Sequence, residues 1–153
     1  MKAIQISELG GPDVLKYKDV KEPELSDGEA ILDIKAIGVN YTDVYTRTGV
    51  TPSELPVIPG VEASGIVLQT GKGVTEVTEG DLVTYTGTMG SYAERAVVPS
   101  WRLVKVPDGL SAEDSAAAML QGSTAHYLSQ TIYPIKRGDT CLVHAGAGGV
   151  GLL

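Results

Sequence analysis

The stretch TCLVHAGAGGVG, Thr140 to Gly151, decides the fold of this chain. Thr140 to His144 reads as a buried β-strand. It runs straight into a turn where Gly146, Gly148 and Gly151 supply the spacing G-x-G-x-x-G. A strand feeding such a turn is the opening of a dinucleotide-binding βαβ unit. Its glycines permit the tight turn, let the backbone approach a pyrophosphate and let the next helix pack closely on the sheet. The triplet alone is a weak signal, and a glycine loop without a ligand is the competing reading; the preceding strand gives the triplet its context. An anion site also needs a helix whose N–H groups face the ligand. Only Leu152 and Leu153 follow here, too short a piece to nucleate helix unaided. The residue that reads the ribose, about 20 positions further on, lies beyond the chain. The sequence is therefore expected to be part of a longer protein, cut inside its cofactor site.

Upstream of this turn the pattern is different. Ser111 begins a helical reading, with Asp114 completing a capping pair ahead of an alanine-rich run over 115–118. Helical character continues, with an interruption expected at Gln121-Gly122, to about Tyr133 before Pro134. Residues 1–110 read as short strands between turns: Lys2–Ser7, Leu15–Val20, Glu29–Val39, Glu62–Gln69, Asp81–Thr86, Ser91–Val98 and Arg102–Val106. The longest, Glu29–Val39, alternates Ala30, Leu32, Ile34 and Ala36 against Asp33 and Lys35. A short helix is expected over Tyr41–Thr48, stopped by Gly49, and residues 50–60, with three prolines, form a loop. Phe is absent, so the core must rest on Val, Ile, Leu and Ala. Many short β-branched segments point to a barrel or sandwich. The expected class is mainly β with a few helices (α+β): a first domain over 1–121, then a crossover helix and the start of a dinucleotide-binding domain over 122–153.

Composition narrows the function. The chain has 153 residues, 42% hydrophobic and 20% charged, an ordinary globular balance. Its formal net charge of −7 repels phosphate backbones, which argues against nucleic acid. No apolar run approaches the ~20 residues of a membrane-spanning helix. One cysteine, Cys141, allows neither an internal disulfide nor a cysteine-rich zinc site. A cytoplasmic protein without membrane partners is expected.

Several motifs together resemble the medium-chain dehydrogenase/reductase superfamily, and within it the zinc-free, ζ-crystallin-like quinone oxidoreductases. They are Gly38-Val39-Asn40-Tyr41-Thr42-Asp43-Val44-Tyr45-Thr46-Arg47-Thr48-Gly49, Pro59-Gly60-Val61-Glu62 with Gly65, Gly80-Asp81 with Val83, and Gly138-Asp139 leading into the glycine turn. The resemblance implies a GroES-like, partly open barrel followed by a truncated Rossmann domain. It also implies hydride transfer from NADPH, or NADH, to a quinone or conjugated carbonyl, in a parent that forms a homodimer. Zinc-dependent relatives carry a ligating Cys and His where this chain has Asn40 and Val61. An amide and an alkyl group cannot take those ligand positions, so no metal is expected.

By the same resemblance Tyr45 and Asn40 are the catalytic candidates and also contact the cofactor. Thr124, Gly146, Ala147, Gly148, Gly149 and Val150 complete the cofactor set. Each has a plainer reading. Tyr45 fits a half-buried core tyrosine bonded to backbone, Asn40 an N-cap paired with Asp43, and Thr124 a helix cap. Asp43 is read as structural, Arg47 as a solvated helix end, and Glu62 as a hydrogen-bonded buried carboxylate. His126, His144, Cys141 and Trp101 are read as packing residues. The isolated chain is expected to fold but to reduce nothing. An enoyl reductase of the same superfamily and a non-enzymatic binding or structural protein are the alternatives; Thr51, where enoyl reductases carry a catalytic Tyr, counts against the former.

Overall fold

A computed structural model describes all of residues 1–153. Seven strands form: β1 (Lys2–Gln5), β2 (Lys16–Asp19), β3 (Glu29–Ile37), β4 (Glu62–Thr70), β5 (Leu82–Thr86), β6 (Arg95–Pro99) and β7 (Val104–Lys105). Five of them make an antiparallel sheet in the order β6-β3-β4-β5-β7, and β1 and β2 pair separately. Backbone bonds from Ile4 to Tyr92 and from Glu94 to Lys2 stitch β1 to the segment before β6. No pairing joins β7 to β2, so the ring of strands stays open. The architecture is that of the expected open barrel.

The alternation in β3 buries Ala30 and Leu32 completely, and Ile34 packs against the same cluster. Val67, Val77, Val83, Tyr85, Ala96, Val98 and Leu103 fill the rest of that core. Tyr85 is its one aromatic ring, and burial pushes its phenol above the usual range. In β4 the alternation breaks down, because Glu62, Ala63, Ser64 and Gly65 are all buried. The cause is a helix laid over the sheet. The helices are α1 (Tyr41–Thr48), α2 (Ala112–His126) and α3 (Gly149–Leu152), and α2 packs on β5, β4 and β3. It starts as expected: the Ser111 hydroxyl oxygen accepts the Asp114 N–H at 3.0 Å. Its first turn is held by polar groups of the sheet. Ser64 donates its hydroxyl to the Ala112 carbonyl, and the Thr84 hydroxyl lies within hydrogen-bond distance of the Ala63 and Ser115 carbonyls.

Several expectations need correction. Strand β6 begins at Arg95 instead of Ser91, because the backbone at 91–94 bonds to β1 and the loop at Pro59–Gly60. Helix α2 runs unbroken through Gln121-Gly122, since one interior glycine costs only about 1 kcal/mol. It then widens into a π-helical turn over Tyr127–Ile132. Thr140–His144 forms no strand. Nothing lies alongside to accept its hydrogen bonds, and an unpaired strand has no backbone partners; Leu142 is accordingly 83% exposed. Cys141, His126 and His144 do not pack in the core: all three are exposed. Trp101 is also solvent-facing, with the Arg102 guanidinium 4.4 Å from its ring centre.

Candidate functional site

Asn40 ends the extended backbone after β3 and caps α1. Asp43 returns the contact, accepting the Asn40 N–H at 2.9 Å. Asp43 is itself buried and accepts the Tyr92 hydroxyl at 2.8 Å. Burial, aided by that carboxylate, pushes the Tyr92 phenol well above its usual range. Both bonds fall on Oδ2, which is committed within the protein as expected, while Oδ1 is buried without a partner. Gly49, at φ 81°, ends α1 in the left-handed region.

The amide nitrogen of Asn40 reaches away from α1 and donates to Glu62 Oε2 at 2.8 Å. Glu62 Oε1 accepts the Leu120 N–H of α2 at 2.6 Å, and the residue is 1% exposed. The Glu62 side chain lies flat over Gly38, where a Cβ would sit 1.9 Å from Oε2. The expected buried carboxylate is therefore a bridge between the N-terminus of α1 and the middle of α2.

From Leu120 the site extends along α2. Thr124, one turn on and in the last turn of α2, back-bonds to the Leu120 carbonyl at 2.7 Å, so its hydroxyl caps no helix end. Gln121 meets the glycine turn: a Cβ on Gly149 would lie 2.2 Å from its Oε1. The turn closes through Gly148 N–H to Ala145 O at 2.7 Å, with Ala145 at φ 52°. Gly151 folds back on it so tightly that a Cβ would come within 2.5 Å of the Ala145 carbonyl. A Cβ on Gly146, by contrast, would meet nothing closer than 3.8 Å. The first turn of α3 leaves backbone N–H groups without intrahelical acceptors. A closed turn with an approachable backbone suits a dinucleotide's phosphates, so the residues present fit that group. Ala147 and Val150 lie in the same segment, Ala147 exposed and Val150 half-buried.

Tyr45 stands one turn along α1 from Tyr41, and the two rings meet edge to face at 5.1 Å. It is 43% exposed, so it is no core tyrosine. Arg47, read as a solvated helix end, is instead half-buried: it donates to the Gly10 carbonyl at 2.6 Å while its own carbonyl accepts the Gly10 N–H. It ties the loop after β1 to the end of α1. The structure thus gathers Asn40, Thr124 and the glycine turn around Glu62 and the Leu120–Gln121 segment. Sequence reasoning missed Gly38, Leu120 and Gln121 as parts of this site. Gly38 alone carried a signal, as the glycine two residues before the cap. No group of three or more His, Cys, Asp or Glu side chains is arranged to hold a metal ion, and no helix is long and apolar enough to cross a membrane.

Residues 26–108 match the alcohol dehydrogenase GroES-like domain, and the chain belongs to that family. The similarity to individual proteins extends over the whole chain. It is 43% identical to the quinone oxidoreductase of Pseudomonas aeruginosa over 153 residues, covering 99% of this chain and 47% of the relative. A mycobacterial protein solved in complex with NADPH superposes with a TM-score of 0.96 at 47% identity, covering 99% of this chain and 48% of that one. The quinone oxidoreductase of Escherichia coli, also solved with NADPH, superposes with a TM-score of 0.96 at 36% identity, over 99% of this chain and 47% of that one. The chain spans about half the length of the relatives it matches.

Proposed function

We propose that this chain supplies the GroES-like half of an NADPH-dependent quinone reductase. The observation that carries the reading is the seating of the glycine turn on α2 at Gln121, next to the Leu120 N–H that bonds the same carboxylate as Asn40. One bridge thereby connects the expected phosphate loop to the expected nicotinamide side. The NADPH bound in the mycobacterial and Escherichia coli relatives supports the cofactor assignment. Domain limits of 1–121 and 122–153, a quinone or conjugated carbonyl as substrate, and a homodimeric parent in the cytoplasm belong to the same proposal.

When bound, the cofactor supplies the hydride. The chain's task is orientation and exclusion of water. Gly146 to Val150 would hold the phosphates through backbone N–H groups, with Thr124 alongside. Asn40 and Tyr45 offer an amide and a phenol as donors to the carbonyl oxygen that gains negative charge, and a solvent proton completes the hydroquinone. The donor set supports metal-free chemistry, since Asn40 and Val61 stand where the resemblance places a thiolate and an imidazole in zinc-dependent relatives.

The test is oxidation of NADPH by the complete gene product with 1,4-benzoquinone, before and after treatment with a chelator. Turnover that survives chelation is expected. No turnover overturns the assignment, and loss on chelation overturns its metal-free part. Tyr45→Phe should lower kcat or cofactor affinity roughly three- to tenfold, the worth of one hydrogen bond. The 153-residue chain by itself should show no saturable NADPH fluorescence change at micromolar concentrations, because its glycine turn lies open to solvent.

A further inference from the structure

We propose that Glu62 is a positioning residue that fixes which way the Asn40 amide faces, so that an Asn40 N–H is presented as a donor to the substrate oxygen; this rests on the quinone reductase reading above. The argument starts from cost. Glu62 is 1% exposed and belongs to none of the chain's ion pairs. A buried carboxylate held only by neutral donors is a poor way to gain stability, because its desolvation is large and an apolar side chain of similar volume packs more cheaply. Packing alone therefore does not account for it.

Its contacts show what it does instead. The two carboxylate oxygens take different partners, Asn40 Nδ2 and the Leu120 N–H. A backbone N–H cannot be reversed, so one oxygen is committed to α2. The other accepts, and an acceptor on that side requires the nitrogen end of the Asn40 amide. Asp43 fixes the backbone of the same residue, accepting the Asn40 N–H at 2.9 Å while its own N–H goes to the Asn40 main-chain carbonyl at 3.0 Å. A flip would turn the amide oxygen onto the Glu62 carboxylate, so the amide is held one way round, and its second Nδ2 hydrogen remains uncommitted. Gly38 makes the arrangement possible by leaving room for the Glu62 side chain. Directed donors of this kind act where charge develops in the reaction.

Two variants of the complete gene product test this. Glu62→Gln keeps the shape but offers one acceptor to two donors. Either one of the two bonds fails, lowering Tm by roughly 3–6 °C, or the Asn40 amide turns its oxygen to the new amide; both outcomes disturb the donor, so kcat for benzoquinone should fall roughly tenfold. Adding Asn40→Asp gives the amide introduced at position 62 an acceptor again and keeps a good N-cap. Tm, and protection of the Leu120 amide in hydrogen exchange, should then recover while kcat stays low, because an aspartate has no amide hydrogen to give. Glu62→Gln with wild-type Tm and kcat overturns the proposal. So does a double variant that recovers kcat with Tm, which reduces Glu62 to a structural tie, or one that recovers neither Tm nor protection. A wild-type product that reduces no quinone, with the Tm pattern intact, marks failure of the functional reading and removes the donor role with it.

Discussion

Gly38 shows how much one missing methyl group can decide. Its substitution by alanine would place Cβ within 1.9 Å of Glu62 Oε2 and 2.6 Å of Cγ, so the whole side chain must leave its bed and release both Asn40 and Leu120. Gly38→Ala is expected to destabilise by about 1–3 kcal/mol, measured as a lower urea midpoint. Gly11→Ala is the control: Gly11 has φ −69° and open space around its Cβ position, so its midpoint should hardly move. Unequal effects in the opposite sense would show that Gly38 is not a fitted contact. At this scale the sequence is legible wherever partners are near in the chain. Asn40 with Asp43 and Ser111 with Asp114 are each three residues apart, and both read as pairs. Glu62 reads as buried, but its partners, 22 and 58 residues away, leave no local trace. Arg47 shows the same limit, since its acceptor lies 37 residues back.

Among the elements, those built from their own periodicity are legible and those dependent on a neighbour are not. The alternation of β3 and the cap-to-glycine span of α1 are plain in sequence. Thr140–His144 carries strand composition, yet a strand exists only beside another, and composition cannot report that. Within the sheet, the turn into β5 has a pH signature of its own. Asp81 pairs with Lys105 at 2.7 Å and accepts the Thr78 N–H at 2.8 Å. Those contacts, Lys105 foremost, hold its carboxyl below the usual range. A carboxyl depressed in the folded state stabilises above its unfolded pKa of about 4 and loses that contribution as pH falls through the folded value. The urea midpoint should therefore drop below about pH 4, and Asp81→Asn should make that drop smaller. An identical acid profile in the variant would assign the pH dependence to other carboxylates.

For the molecule as a whole, the apolar surface is unevenly spread. Leu110, Tyr127, Leu128, Ile132, Tyr133 and Leu152 are all exposed, while the sheet keeps Leu32, Val67, Val83 and Val98 inside. Large apolar side chains left exposed in this number favour association. The 153-residue chain should sediment faster as its concentration rises from roughly 5 to 100 µM, and a constant sedimentation coefficient over that range would show that the surface is inert. The hydroxyls of Ser64 and Thr84 bear on the same region differently. They fasten the first turn of α2 to the sheet through bonds that have direction, whereas greasy contacts tolerate sliding. The helix is thereby indexed like a key in its keyway. Whatever rides on its far end inherits an angular setting from the barrel, so that Thr84→Val would leave the volume filled and the aim of the glycine turn adrift.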